Sequence, residues 1–546
     1  MPTLHWAGKD KVVNHHHDVP FRLLDKQYTF TANEGTPANS TANRIIHGDN
    51  LEALKSLMPE FEGKVNCIYI DPPYNTGNEG WVYNDAVNDP KIKKWLGQVV
   101  GKEGEDLSRH DKWLCMMYPR LKFLHRLLAD DGVIFVSIDD NEQATLKLVM
   151  DEIFGAGNFV SSIIWEKRYS PQNAVKWFSE SHDFLIVYAK SKENWYPNLL
   201  ERSDEMNARY RNPDNDPRGV WKPVDSTAQA GHGTQSQFYV LTAPNGKQHA
   251  LPNGRCWLYT EPVFKQLVAD NRIWFGSTGN NVPAVKRFLT EVKQGTACQT
   301  IWKYGDVGHN QEGKKEINDL FPEATVFDTP KPARLLDRVL QLATDQNAIV
   351  LDTFAGSGTT AHAVLKLNAQ DGGNRRFILC EMMDYAETIT AERVRRVMNG
   401  YGEGTKAVAG TGGAFDYYTV GAPLFLEDKN LNEAVGEAAI RNYVAYTESI
   451  PPAQQCGTDN AVSRYALGAS DTALWLFYYE QDRITTLNLD FLASLNIKAL
   501  LENGKKPKRK RPEHFIVYAD KCALDKDFLT QHGITFKRIP RDITRF

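Results

Sequence analysis

Ala348-Ile349-Val350-Leu351-Asp352-Thr353-Phe354-Ala355-Gly356-Ser357-Gly358-Thr359-Thr360-Ala361 is the stretch on which the fold turns. Residues 348–351 are an unbroken apolar run, the mark of a strand buried on both faces of a parallel sheet. Gly356, Gly358 and Ala361 match the spacing G-x-G-x-x-G/A of a nucleotide-binding turn that opens a helix. Glycine permits the tight turn and lets a ligand approach the backbone. A helix is predicted from Thr359 to about Leu367, then the strand Arg376-Phe377-Ile378-Leu379-Cys380-Glu381. Glu381 ends that strand, where a carboxylate can accept both hydrogens of a ribose diol. Strand, turn, helix and strand make one unit of an α/β, doubly wound, mostly parallel sheet.

The same alternation appears upstream. Arg44-Ile45-Ile46-His47 reads as a short strand, and Gly48-Asp49-Asn50 turns into a helix with Leu51, Leu54, Leu57 and Met58 on one face. Val65–Ile70 is a compact strand stopped by Asp71-Pro72-Pro73-Tyr74, whose prolines forbid helix and end ladder donation. A helix around Trp113 to Leu128 is closed by Asp130-Asp131-Gly132 and followed by the strand Val133–Ile138. Asp139 and Asp140 then read as a helix N-cap. From about Phe159 the regularity weakens, and residues 196–325 are rich in Asn, Gly, Pro and Thr. The predicted organisation is an N-terminal arm (1–40), the first part of the α/β domain (41–165), an insertion (166–327), the second part (328–404) and a C-terminal domain (405–546). A glycine-rich linker over 400–413 precedes the last.

Composition narrows the classes. With 42% hydrophobic and 24% charged residues the chain is neither disordered nor fibrous. The balance of 64 Lys+Arg against 68 Asp+Glu excludes a uniformly basic coat for nucleic acid, but not a local basic face. No apolar run approaches the ~18 residues of a membrane span, and Met1 to Lys11 has no apolar core of signal-peptide type. Seven cysteines without a C-x-x-C pair read as reduced thiols of a cytoplasmic protein, with no metal site. His15-His16-His17 is read as part of a solvated arm rather than a metal tract.

The glycine loop lacks a G-K-[ST] ending, so it is not a P-loop. Asp352, just before the turn, is awkward beside a pyrophosphate and suits a cationic amino acid moiety. A ligand with a ribose, an ammonium and no phosphates fits, as S-adenosylmethionine does; the alternative is that Asp352 caps the following turn. Asp71-Pro72-Pro73-Tyr74 stands at the carboxyl end of its strand, where doubly wound sheets place ligands. It offers stiffened carbonyl acceptors beside an aromatic ring.

Asp71-Pro72-Pro73-Tyr74 and Phe354-Ala355-Gly356-Ser357-Gly358 together resemble the two signatures of the amino-type DNA methyltransferases. Their order, with a large insertion between them, matches the β class. Several stretches resemble the modification subunits of type III restriction systems: His47 to Leu54, Asp71 to Gly77, Ser181-His182-Asp183-Phe184 with Val187 to Lys190, Thr329-Pro330-Lys331-Pro332, and Ile539 to Ile543. The likeness is strongest over 44–190 and 328–400 and weakest over 200–325. It implies a fold of the S-adenosylmethionine-dependent methyltransferase type, a target-recognition insertion, and methyl transfer to the N6 amine of an adenine extruded from the duplex. Cytosine N4 is the runner-up; Asp rather than Ser at position 71 resembles the adenine enzymes.

Asp71, Pro72, Pro73 and Tyr74 are then the catalytic turn. Tyr74 stacks on the extruded base, and Asp71 with the Pro72 carbonyl accepts the hydrogens of its amine. Asp49, Asn50, Asp352, Phe354, Ala355, Gly356, Gly358, Thr359, Thr360 and Glu381 would contact the cofactor. Lys331 would meet its carboxylate, unless it is a surface lysine.

For phosphate contacts, Lys508, Arg509, Lys510 and Arg511 lie in the clearest basic run, unless that run is a solvated loop. From Lys505 onward there are 12 Lys+Arg against 5 Asp+Glu. Sequence readout is expected from about 160–327. The resemblance also implies a homodimer that can host a helicase-nuclease restriction subunit. Tyr443, Tyr446, Trp475, Phe477, Tyr478 and Tyr479 supply candidate interface rings, unless they fill the core of their own domain. The competing classes are a solitary methyltransferase, a nicotinamide oxidoreductase built on Gly356, Gly358 and Glu381, and a DNA-binding partner without chemistry. The oxidoreductase leaves Asp71 to Tyr74 unexplained.

Overall fold

A computed structural model describes residues 3–76, 109–497, 499 and 512–541. The chain forms two compact units, Met1–Tyr196 with Thr300–Phe546, and Pro197–Gln299.

The first unit is built on a ten-stranded sheet. Its strands in chain order are β1 (Arg22–Thr31), β2 (Asn43–His47), β3 (Val65–Ile70), β4 (Leu128–Ile138), β5 (Phe159–Glu166), β6 (His182–Ala189), β7 (Ile301–Trp302), β8 (Ile349–Asp352), β9 (Arg376–Glu381) and β10 (Ala414–Pro423). Their lateral order is β1-β10-β2-β9-β8-β3-β4-β6-β5-β7. The strands from β10 to β4 run parallel, which requires both faces to be covered and explains the continuous apolar runs at 65–70 and 349–351. β6 is antiparallel to both β4 and β5, and β1 to β10.

Helices α1 (Asn50–Phe61), α2 (Arg109–Leu127), α3 (Ala333–Ala343) and α4 (Thr359–Asp371) accompany the sheet. β8 and β3 are neighbours, but the chain leaves β8 towards β9 on one side and β3 towards β4 on the other. This is the topological switch point, where the two outgoing turns open a crevice at the carboxyl edge.

The sheet extends further than the sequence pattern implies. β6 and most of the β5–β6 hairpin fall inside the stretch expected to be the insertion at 166–327; the separate unit begins only at Pro197 and ends at Gln299. The expected arm at 1–40 contributes β1, paired with β10 over Arg22 to Thr31. The histidines at 15–17 form a short helix in which His17 is exposed but His16 is buried against the edge of Phe123 and pushed down to about 4 by that burial, so the tract is not solvated throughout. β4 begins at Leu128, directly after α2, and Asp130-Asp131-Gly132 lies within it. A Cβ at Gly132 would stand 2.8 Å from the Val65 carbonyl, so this crossing needs glycine.

Residues 405–546 likewise divide between the sheet, through β10, and a four-stranded sheet of 466–469, 473–477, 514–519 and 534–538. Phe477 and Tyr479 are buried in the core of that smaller sheet, and Tyr478 stacks on Phe491 with centroids 4.0 Å apart. Phe477 and Tyr479 therefore help fill the core of their own domain, while Tyr478 is half-buried. Arg541 pins the end of the described chain, pairing with Asp520 and Glu433 at 2.7 Å.

Pro197–Gln299 carries short antiparallel sheets around Trp257, Phe264 and Phe275. Its buried Lys286 pairs with Asp214 and with Asp216 (3.1 Å). Among the described residues no helix is long and apolar enough to cross a membrane, and all seven cysteines are free. The basic run Lys508, Arg509, Lys510, Arg511 lies outside the described residues.

Candidate active site

The two turns at the switch point supply the site. The turn after β3 is held by its neighbours: the Trp113 indole of α2 donates to the Pro73 carbonyl at 2.6 Å, and Pro72, Pro73 and Tyr74 are buried. Asn75 has a left-handed φ of 59° and donates to the buried Glu142 carboxylate at 2.5 Å, which also takes His110 at 2.6 Å. The prolines thus sit on a rigid shelf. The Pro73 carbonyl is occupied, whereas among the described residues none donates to that of Pro72.

Asp71 Oδ2 accepts from Lys331 Nζ at 2.5 Å, while Asp71 Oδ1 is buried without a partner. The Tyr74 hydroxyl is also buried, close enough to Asp71 to feel its carboxylate but without a hydrogen bond of good geometry. Burial first, then the Asp71 charge, holds Tyr74 well above the ordinary tyrosine range. Lys331 Nζ lies 5.1 Å over the Tyr74 ring and 6.0 Å from that of Trp165. Lys331 was expected beside a cofactor carboxylate; here it bridges to Asp71. Asp183, at the start of β6, bonds Lys167 at 2.6 Å, and its burial raises it above the usual carboxylate range against the pull of Lys167 and Lys331. It belongs to the same charge cluster. The stretch Ser181 to Phe184 gave it no role until β6 was placed beside β4.

The glycine loop leaves β8 through Asp352. Its carboxyl accepts from the Thr360 hydroxyl at 2.6 Å and the Phe354 amide at 3.0 Å. Asp352 therefore ties the turn, and burial pushes it up to about 7. Gly356 and Gly358 have φ of 53° and 82°, and Gly358 is the N-cap of α4. A Cβ on Gly358 would stand 3.1 Å from the Thr390 carbonyl at a left-handed φ, so conformation and packing within the protein favour glycine there.

Glu381 ends β9 with Oε2 turned into the loop, accepting from the Gly356 amide at 2.8 Å, and Oε1 accepting from the Met383 amide just after the strand at 2.9 Å. Asp49 caps α1 through the Leu51 and Glu52 amides, and Asn50 donates to the Thr353 carbonyl at 3.1 Å. Asn50 thus steadies the loop from the side, and Asp49 fixes the start of α1 that carries it.

Two buried arginines brace this half of the site, and nothing in sequence spacing marks them. Arg120 of α2 bonds Asn50 Oδ1 at 2.5 Å and lies 3.6 Å from Asp49. Arg393 donates to Ser357 and Thr359 at 2.8 Å, and burial lowers it to about 10. Lys331, Asp71, Asp352, Phe354 and Gly356 line one narrow cleft, with room for only about 20 Å³.

A doubly wound sheet with an Asp-Pro-Pro-Tyr turn and a glycine loop on adjacent strand ends defines a methyltransferase-type domain. Comparison makes this particular: the chain belongs to the DNA methylase family, whose model matches residues 65–392. The StyLTI Mod subunit, a type III restriction-modification enzyme of Salmonella typhimurium, is 41% identical over 352 residues, 62% of this chain and 52% of that one. The EcoPI Mod subunit of Escherichia phage P1 is 30% identical over 447 residues, covering 74% and 66%. The type II methyltransferase M.KpnI of Klebsiella pneumoniae is 30% identical over 368 residues, covering 63% and 82%. The chain thus spans about half to two thirds of the length of the Mod subunits it matches.

Proposed function

We propose that the chain transfers the methyl group of S-adenosylmethionine to the N6 amine of an adenine extruded from duplex DNA, as the modification subunit of a cytoplasmic type III restriction-modification system. The observation that carries this is the juxtaposition of Asp71, with one buried carboxylate oxygen unpartnered, and the Asp352–Thr360 loop across one cleft. The names of the Mod relatives support the type III assignment, and Asp at position 71 supports adenine.

The cleft suits the cofactor in its chemistry. Asp352 is a buried carboxyl held near neutrality, which a cationic ligand would relieve, and the adjacent Thr353 hydroxyl is buried without a partner. Glu381 stands where a ribose diol would be received. When bound, the cofactor supplies an electrophilic methyl group on a sulfonium. Asp71 and the Pro72 carbonyl accept the two hydrogens of the amine, turning its lone pair to the methyl carbon and stabilising positive charge as it develops on nitrogen. The proton lost from nitrogen passes to Asp71 and on to solvent. Tyr74 supplies a ring for the extruded base, a stack typically worth about 1–3 kcal/mol.

In the same reading Pro197–Gln299 is the target-recognition part, Lys508 to Arg511 grip phosphates, and the chain works as a homodimer that accepts a helicase-nuclease subunit. Sequencing the modified bases of a host with and without this chain tests the proposal. New N6-methyladenine at one sequence motif is expected; N4-methylcytosine or an unchanged genome would refute it.

A further inference from the structure

The hairpin between β5 and β6 carries two of the most exposed rings described in this protein. Trp177 is 80% exposed and Phe178 is 93% exposed. Among the described residues no other ring lies against either; Trp177 has only Lys176, whose Nζ is 4.9 Å over it. The base of the hairpin, by contrast, is well braced. Lys167 bonds Asp183, its carbonyl accepts from the Asn310 amide at 3.1 Å, and Tyr169 stacks on His309 at 5.3 Å. Arg168 N to Ser181 O (3.2 Å) and Gln172 N to Ser179 Oγ (2.8 Å) close the loop.

Register fixes where this loop emerges. Ile70 is opposite Val136, Ile138 opposite Phe184, and Glu166 opposite His182. The ends of β3, β4 and β5 and the start of β6 therefore share one edge of the sheet. At about 4.8 Å per strand, the hairpin leaves that edge some 10–15 Å from Asp71. Residues 167–181 carry Lys167, Arg168 and Lys176 against Glu180 alone, in a chain whose net charge is −4. Cationic groups beside bare rings, on the edge that carries the acceptor for an extruded base, fit a polyanion with stacked faces.

We infer that Trp177 and Phe178 enter the base stack of duplex DNA beside the target adenine and hold open the gap its extrusion leaves. This rests on the transfer reading above and adds to it the group that stabilises the opened duplex. Aromatic and apolar side chains that wedge between base steps stabilise unstacked DNA in this manner, and Lys176 and Arg168 would then meet the flanking phosphates.

The test uses the full chain and two duplexes bearing the sequence it methylates, one with 2-aminopurine at the target position to report unstacking and one with the natural adenine, whose N6 amine 2-aminopurine lacks, to report methylation. The parent should raise the fluorescence. Trp177→Ala/Phe178→Ala should lose the rise and slow single-turnover methylation about ten-fold or more. Trp177→Tyr/Phe178→Tyr, which keeps both rings, should restore most of it. A mismatch opposite the target, which lowers the cost of extrusion, should bring the alanine variant back to within a few-fold of the parent.

Unchanged fluorescence and rate, or equal losses on matched and mismatched duplexes, would overturn the wedge. So would a change in particle mass by light scattering, because the rings would then cover a second copy of the chain. A parent chain that methylates no duplex overturns the transfer reading itself and is told apart from these outcomes by that control.

Discussion

Lys331 Nζ lies 2.5 Å from Asp71 Oδ2 and 5.1 Å over the ring of Tyr74, so one ammonium occupies both groups assigned to the target base. An exocyclic amine brings similar donors on a planar body, and Asp71 Oδ1, which Lys331 leaves without a partner, can receive one of them. The pair is nearly buried, at 8% and 12% side-chain exposure. Removing one partner of a buried pair costs about 3–5 kcal/mol, because the other is left uncompensated. Lys331→Met should therefore lower Tm sharply, and Asp71→Asn/Lys331→Met should recover most of the loss. Thermal denaturation of the four proteins in this cycle checks it; a double variant as unstable as Lys331→Met would show that the pair contributes through other contacts.

Asp71→Asn alone should cut methyl transfer by about 100-fold or more, as loss of a group aimed at developing charge does. Affinity for S-adenosylmethionine should stay within a few-fold, because Asp71 leaves β3 and the glycine loop leaves β8. Single-turnover methylation and calorimetry separate the two effects. Turnover close to the parent's would remove Asp71 from the reaction.

Tyr74 keeps a buried hydroxyl without a hydrogen bond of good geometry. Tyr74→Phe relieves that group and keeps the ring, so Tm should hold or rise and transfer should change little. Tyr74→Ala removes the stack and should slow transfer by about 5- to 150-fold, the equivalent of 1–3 kcal/mol. Equal losses for the two variants would place the contribution in the hydroxyl.

Much of the centre of the fold was legible because buried parallel strands leave apolar runs, as at 65–70 and 349–351, and because glycine and proline punctuate the turns after them. The edges were not. β1 and β10 are partly exposed strands whose partners lie almost 400 residues apart, so neither shows a run or a local turn signal. β5 carries Ser161 and Ser162, and β6 follows an irregular loop, which together read as the start of an insertion. Within the site, the residue types at the turns pointed to the chemistry, but their partners were hidden. Arg120 and Arg393 look like any surface arginine until α2 and the segment after β9 fold over them. That Lys331 meets Asp71, 260 positions away, is a property of the closed cleft alone.

Gly358 illustrates how packing adds a second constraint to an expectation. From the sequence, a side chain there would displace the cofactor. In the structure the backbone is left-handed, and a Cβ would press on Thr390. Gly358→Ala should therefore cost about 1–2 kcal/mol of stability from conformation alone, and Gly358→Val more. The loss should appear in denaturant unfolding without any ligand. A variant as stable as the parent that fails only to bind S-adenosylmethionine would leave only the ligand-space explanation.

Asp352 makes stability depend on pH. Burial raises its carboxyl to about 7 from the model-peptide value of 3.8, with the Asp71 and Glu381 charges adding and the Thr360 and Phe354 hydrogen bonds opposing. Between those values the folded chain keeps a proton that the unfolded chain has lost. The contribution is therefore fully present below 3.8 and disappears as pH rises through about 7. Asp352→Asn does not titrate, so the parent's Tm relative to this variant should fall as pH is raised from about 4 to 8 and level off above that range. A cationic ligand beside Asp352 favours the ionised form, so S-adenosylmethionine binding near pH 6 should release a proton from the parent and not from the variant. Calorimetry in buffers of different ionisation enthalpy measures that proton directly. Binding without proton release, together with parallel Tm profiles, would mean that Asp352 is already ionised in the folded protein and serves the turn alone.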